Sequence, residues 1–204
     1  MSVAGRGLRR QPTGLLVDCD GVLRAWDPAW PLTIEEKYAL PPGALMATAM
    51  APERLVPAIL GEVGHEEWMA GVAADLGSAE AIEEWETYRG ELRPAVVDLI
   101  ADLRAAGIPV GLATNATSRL DVDLAAFGLT GAFDVVVNSS VLGAAKPQPD
   151  YYVAACRALG RPPSEVLLLD DSARFVAGAR AAGLLAYRYS GEQDVGYIRS
   201  AFGL

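Results

Sequence analysis

Residues 165–189 read EVLLLDDSARFVAGARAAGLLAYRY. The run from Val166 to Leu169 is unbrokenly apolar and stops at Asp170 and Asp171. A helical pattern over 173–182 follows, Gly183 ends it, and a second apolar run fills 184–189. A strand without polar alternation is one buried on both faces, and a helix between two such strands is the crossover of a parallel pair. The same unit recurs upstream. Residues 94–106 (PAVVDLIADLRAA) set Val97, Ile100, Leu103 and Arg104 at helical spacing, with Pro94 suited to the first turn and Gly107 to the stop. Residues 108–114 (IPVGLAT) form the next strand. A helix over 118–127 capped by Ser118, a strand over 134–138, a helix over 149–159 and a terminal helix over 194–202 continue the alternation. Residues 14–18 (GLLVD) supply the first strand. The pattern predicts an α/β fold with a doubly wound, Rossmann-like parallel sheet.

Residues 24–93 break the alternation. A turn-rich stretch with Trp26, Pro28, Trp30, Pro31, Pro41 and Pro42 leads into helical patterns near 52–60, 65–76 and 78–90, with no β-run among them. This predicts a small all-helical cap inserted after strand one, over a core of 14–23 and 94–204. Trp26 and Trp30 are expected to close the hinge. Residues 1–13 carry Arg6, Arg9 and Arg10 with no apolar run behind them, which reads as a disordered tail rather than an export signal.

Composition narrows the partners. With 17 basic against 26 acidic residues the net charge is −9, and such a surface repels a phosphate polymer, so nucleic acid is not expected. No apolar run approaches the roughly 20 residues that cross a bilayer, so no membrane partner is expected. Cys19 and Cys156 are too few for a disulfide framework and lack zinc-ligand spacing, which makes a reducing cytoplasm the expected compartment. Composition says nothing about oligomeric state.

Ligands of an open parallel sheet bind beyond the carboxyl ends of its strands. Strand one ends in Asp18-Cys19-Asp20-Gly21, strand two in Thr114-Asn115, and strand four in Asp170-Asp171-Ser172, while Lys146-Pro147 lies in the loop after strand three. Four carboxylates meeting at one edge need a cation beyond a single lysine, and all-oxygen donors select Mg²⁺ over Zn²⁺. Asp18, held at a strand end, can attack phosphorus and form an aspartyl-phosphate. Asp20, two residues on and on the same side of an extended chain, can act as acid and then as base. Gly21 lets the backbone turn away from a phosphate. Thr114 and Asn115 offer polar groups to the phosphoryl oxygens, and Lys146 gathers negative charge. Lys146 is one of only two lysines, the other being Lys37, beside fifteen arginines, which favours a positioned point charge over a solvated loop residue. His65, the one histidine, reads as a solvated or capping residue, and Cys19 as a small buried one.

DCDGVL (18–23), then Thr114, Lys146 and the pair at 170–171, in this order and at strand ends, resembles the four motifs of the haloacid dehalogenase-like hydrolase superfamily. The insertion after the first motif looks like that superfamily's small helical C1-type cap. The second aspartate, Asp20, is absent from the dehalogenase branch, so the resemblance implies the phosphatase branch. It further implies that Mg²⁺ is held by Asp18, the main-chain carbonyl of Asp20 and Asp171, with Asp170 as supporting partner or alternative ligand. One departure stands out. Where many relatives carry a further carboxylate four residues after the motif-four aspartate, this chain has Phe175.

The expected function is Mg²⁺-dependent hydrolysis of a small phosphomonoester, a sugar or organic-acid phosphate judged from cap size, through an aspartyl-phosphate. A phosphomutase shares the intermediate. A non-catalytic binding protein on a decayed phosphatase fold is the reading from another class. A signalling receiver fits poorly, because receivers lack an insertion after strand one and carry their acceptor on a later strand.

Overall fold

A computed structural model describes residues 11–204. In chain order the elements are β1 (Gly14–Val17), β2 (Arg24–Ala25), α1 (Ala29–Lys37), α2 (Ala44–Ala49), α3 (Pro52–Ile59), α4 (His65–Leu76), α5 (Ala79–Trp85) and β3 (Glu91–Leu92). Then follow α6 (Pro94–Ala105), β4 (Val110–Thr114), α7 (Leu120–Ala126), β5 (Val135–Asn138), α8 (Ser139–Leu142), α9 (Pro149–Leu159), β6 (Val166–Asp170), α10 (Ala173–Ala181), β7 (Leu185–Arg188) and α11 (Val195–Phe202). The tail expected over 1–13 lies outside the described residues as far as position 10. Thr13 is tied down: its N–H donates to the Glu165 carbonyl and its hydroxyl to Glu165 Oε2.

The sheet is five-stranded and parallel, in the order β5-β4-β1-β6-β7. β1 pairs with β4 through Leu15↔Val110 and with β6 through Val17↔Leu169. Chain order runs outward from β1 first on one side and then on the other, so a crevice opens beyond the carboxyl ends of β1, β4 and β6. Alternate residues of the buried strands feed two cores. Leu15 and Val17 pack with Leu99, Leu103 and Leu124 from α6 and α7, and with Phe202 from α11. Leu16 faces the other way, toward Tyr151, Tyr152 and Cys156 on α9 and Ala179 on α10. Each fully buried leucine contributes about 2 kcal/mol, and Leu15, Leu16, Leu168 and Leu169 are all of this kind.

Helix ends follow local chemistry with two departures. Pro94 and Pro149 open α6 and α9, and Ser172 caps α10 by accepting from the Phe175 N–H. The fully buried stripe of α6 is Val96, Leu99, Ile100 and Leu103; Val97 packs against the same core at its margin, and Arg104 falls off the face that spacing alone assigned to it. Ser118 does not cap α7; its hydroxyl accepts from the main-chain N–H of His65.

Between β1 and α6, five helices enclose their own core of Ile34, Leu45, Trp68, Met69, Val72 and Ile82. Two findings correct the expectation for this segment. The turn-rich stretch contains α1 and α2, and the hinge is an antiparallel ribbon, β2 on β3, pairing Arg24 with Leu92. Trp85 ends the fifth helix, short of the 78–90 pattern, and Leu92 belongs to the ribbon. Buried Glu35 holds the α1–α2 connection by accepting from the N–H groups of Gly43 and Leu45 at 2.7 and 2.8 Å.

Candidate active site

The crevice at the carboxyl ends of the sheet collects Asp18, Thr114, Lys146, Asp170 and Asp171. Asp18 follows β1 directly and is buried. Its Oδ1 receives the Lys146 ammonium at 2.8 Å and the Cys19 N–H at 2.8 Å. Its second oxygen has no hydrogen-bond partner among the described residues. Asp170, the last residue of β6 and fully buried, takes the same ammonium on Oδ2 at 2.6 Å and the Ser172 N–H on Oδ1 at 2.9 Å. Asp171 is exposed, and its carboxylate forms no ion pair among the described residues. Asp18, Asp170 and Asp171 each present an oxygen within 4.8 Å of the other two.

Burial pushes the Asp18 carboxyl up to about 7; Lys146 opposes this, and Asp170 adds to it. For Lys146, burial works against the charge, but Asp18 and Asp170 outweigh it and raise the ammonium above its ordinary value. Three carboxylates against one ammonium leave a surplus of negative charge in a poorly solvated place. Such a surplus is relieved by protonation or by a hard cation, and the donors are all oxygen. The residues therefore fit a divalent ion of the Mg²⁺ type.

Lys146 is itself held from both sides. Asn115 donates Nδ2–H to the Lys146 carbonyl at 2.9 Å and accepts the Lys146 N–H on Oδ1 at 2.8 Å. This places Asn115, expected at the substrate, as the clamp of the lysine. The Lys146–Pro147 peptide is cis. Behind it, a Cβ on Gly178 would stand 2.8 Å from the Pro147 side chain, so glycine lets α10 approach this loop. The Phe175 ring lies under the ammonium, 5.1 Å from centroid to Nζ, a cation–π contact where the family resemblance leads one to expect a carboxylate. Thr114 ends β4 almost fully buried.

Asp20 behaves differently from its expectation. The main chain does not stay extended after Asp18: Leu23 and Arg24 both donate to the Cys19 carbonyl, and Gly21 N–H to that of Arg24. This turn carries the Asp20 carboxylate away from the cluster of three. Its Oδ1 accepts from Arg24 Nε at 2.7 Å and from Trp26 Nε1 at 2.8 Å. Only three of the four expected carboxylates therefore converge side by side. Gly21 sits at φ +86°, and a Cβ there would stand 2.1 Å from Asp171 Oδ2. Glycine is needed for the turn and for the approach of Asp171. If these carboxylates hold Mg²⁺, Gly21→Ala should weaken its binding about tenfold or more through the displaced carboxylate, measured by calorimetric titration. Unchanged affinity would contradict that role for the glycine.

Sequence reading missed the wall that joins cap to core. Arg24 also donates to Asp123 Oδ2 at 3.0 Å, and Asp123 is ion-paired with Arg89 and Arg119 as well. Burial works against the Asp123 charge, but the guanidinium groups, Arg24 first, hold its carboxyl below the ordinary range. Arg119 reaches Glu86, which also meets His65 Nε2 at 2.6 Å, while His65 Nδ1 lies 2.8 Å from Thr117 Oγ1. His65 is thus a cap-to-core link, neither solvated nor capping. The only available hint was the spacing of Asp20 and Arg24, four residues apart. Trp26, expected to close the hinge, also touches the site directly through Asp20.

A cavity of about 1120 Å³ lies between cap and core and includes Asp20, Asn115, Lys146 and Phe175 in its lining. Among the described residues no helix is long and apolar enough to cross a membrane.

A family model described as haloacid dehalogenase-like hydrolase matches residues 13–183. A phosphatase of Mycobacterium tuberculosis is 36% identical over 118 residues, which is 56% of this chain and 52% of that protein. A phosphoglycolate phosphatase of Chromobacterium violaceum is 37% identical over 108 residues, 50% of this chain and 49% of its own. The chain spans about half the length of these curated relatives. Hexitol phosphatase A of Escherichia coli is 28% identical over 180 residues, covering 83% of this chain and 79% of that one. Among solved structures, a HAD-like family hydrolase from Porphyromonas gingivalis has a TM-score of 0.78 at 20% identity, covering 96% of this chain and all of its own. A HAD-family enzyme from Bacteroides thetaiotaomicron, in complex with magnesium and inorganic phosphate, has a TM-score of 0.73 at 20% identity, covering 87% and 93%.

Proposed function

Because the chain belongs to the haloacid dehalogenase-like hydrolase family, we propose that it is a Mg²⁺-dependent phosphatase that hydrolyses phosphomonoesters through an aspartyl-phosphate on Asp18. One observation carries this reading. Asp18 is buried at a strand end with one oxygen clamped by Lys146 and the Cys19 N–H and the other oxygen open, beside two further carboxylates. The three relatives named above, phosphatases all, support it.

Asp18, Asp171 and the main-chain carbonyl of Asp20 would hold the metal, while Asp170, engaged by Lys146 and Ser172, keeps the lysine in place. The ion, when bound, offsets the negative charge shared by the carboxylates and the phosphoryl group. In the first step the open oxygen of Asp18 forms a bond to phosphorus as the ester P–O bond breaks, and Asp20 gives its proton to the departing alcohol. Arg24 and Trp26 fix the Asp20 carboxylate for that transfer. In the second, Asp20 takes a proton from water, the water oxygen bonds to phosphorus, and the bond to Asp18 breaks. Lys146 and the hydroxyl of Thr114 stabilise charge on the phosphoryl oxygens in both steps.

The test is hydrolysis of simple phosphomonoesters with and without metal. Excess chelator should abolish turnover, added Mg²⁺ should restore it, and Ca²⁺, with its larger and looser shell, should not. Apparent Mg²⁺ affinity should weaken as the pH falls through about 7, where a proton competes for Asp18. Full activity in excess chelator would sink the assignment.

A further inference from the structure

Resting on the phosphatase reading, we infer that the ester group of the substrate is a bulky apolar chain or ring, not a sugar or a short acid. The cap side of the cavity is hydrocarbon. Trp26, Met46, Met50 and Val56 line it, and each keeps 46, 38, 41 and 43% of its surface exposed, so none is used to build the core of the cap. Four large apolar side chains left open toward one cleft are costly unless something covers them. The volume of about 1120 Å³ is far more than phosphate and a few carbons occupy, since pockets of about 300–1,000 Å³ already take drug-sized molecules.

The polar groups of the same wall point to the same conclusion. A sugar is recognised by donors and acceptors that converge on its hydroxyls, and a site lacking them leaves those hydroxyls unpaired. Here the polar side chains are already engaged with one another. Arg119 binds Asp123 and both a carboxylate and a carbonyl oxygen of Glu86. His65 uses both ring nitrogens, on Thr117 and Glu86. The indole N–H groups donate to Asp20 from Trp26, to the Trp85 carbonyl from Trp30 and to the Ala49 carbonyl from Trp68. The Tyr88 hydroxyl accepts from the Asp27 N–H. Two exposed side chains are the exceptions: Arg174, without an ion pair among the described residues and solvated beside Phe175, and Gln148, whose Oε1 accepts from the Ala145 N–H while its amide N–H groups stay solvated. The catalytic end of the cavity recognises the phosphate, and the rest offers contact to carbon. The expectation of a sugar or organic-acid ester rested on cap size, which carries no information about this lining.

Phosphates of unbranched primary alcohols, from methyl to octyl, test the inference, because leaving-group chemistry is constant along the series. With Mg²⁺ present, kcat/KM should rise about fourfold per methylene until the wall is reached. It should also exceed that for glycerol phosphate and a hexitol phosphate. Met46→Gln combined with Met50→Gln changes two half-exposed side chains, so the fold should persist, which a melting curve checks. The octyl-to-methyl ratio of the double variant should fall about tenfold. Turnover of all esters with a flat or falling chain-length profile, or with the hexitol ester preferred, overturns the apolar assignment and leaves the phosphatase reading intact. No turnover of any ester in Mg²⁺ overturns both.

Discussion

Asp18→Asn is expected to lower turnover of any accepted phosphomonoester by about 10⁴-fold or more, because no other group can replace the attacking carboxylate. The variant should nevertheless fold. An amide preserves the size of the side chain, and the Lys146 ammonium keeps Asp170 as partner at 2.6 Å. Its stability should change in an informative direction. The folded-state carboxyl titrates well above its ordinary 3.8, so the native state holds this proton more tightly than the unfolded chain does. Metal-free wild type should therefore lose stability as the pH rises from about 4 to about 7, the cost of ionising Asp18 in place. The variant lacks that loss. Above neutral pH and without metal it should melt no lower than wild type; added Mg²⁺ should reverse the order by stabilising only the protein that can hold it. Melting curves at several pH values, with and without metal, check both signs.

Removal of the lysine should be costly in both activity and stability. In Lys146→Met the apolar stem is retained, but Asp18 and Asp170 face each other in a buried site with no cation between them. Breaking a buried pair from one side costs about 3–5 kcal/mol, so the melting temperature should fall clearly in the absence of metal. Mg²⁺ should recover part of this, since a divalent ion neutralises the same carboxylates. Activity should not recover. A positioned charge lost from phosphoryl transfer is worth about 10²–10³ in rate, and the coupled shift of Asp18 adds to it. Lys146→Arg keeps the charge but broadens it in a space bounded by Phe175 and Asn115, and should still lose about tenfold. Near wild-type turnover in either variant would remove Lys146 from the mechanism.

Much of the scaffold was legible because its signals are local. Leu15, Leu16 and Val17, or Val166 to Leu169, are apolar without alternation, and only a strand covered on both faces accommodates that. Since parallel strands present their carboxyl ends on one edge, Asp18, Thr114 and Asp170 had to come together once the strands were placed. Elements that rest on weak or distant signals were not visible. In α1, Trp30, Leu32 and Ile34 alternate as in a strand, and Pro31 reads as a turn former although a first helical turn tolerates it. The ribbon of β2 and β3 has two residues per strand, too few for any period. The turn at Cys19 that carries Asp20 toward Trp26 depends on main-chain hydrogen bonds that side-chain pattern does not announce. The network through Arg24, Asp123, Arg119, Glu86 and His65 joins residues as many as 99 positions apart, and charge counts cannot pair them. For Ser118 the sequence offered a good cap, but tertiary contact with His65 took the hydroxyl instead.

The central claim is that phosphorus becomes bonded to Asp18. The direct measurement mixes an aryl phosphate, whose leaving group departs without needing the Asp20 proton, with enzyme and Mg²⁺, quenches in acid within milliseconds, and reduces the product with borohydride, which converts an aspartyl acyl-phosphate to homoserine. Asp20→Asn serves beside wild type, because loss of the base for water should let the intermediate accumulate. Homoserine at position 18, in amounts approaching one per enzyme in Asp20→Asn and absent from Asp18→Asn, is the result expected. Steady release of phosphate by wild type, with aspartate intact at position 18 in both proteins at every quench time, would contradict it.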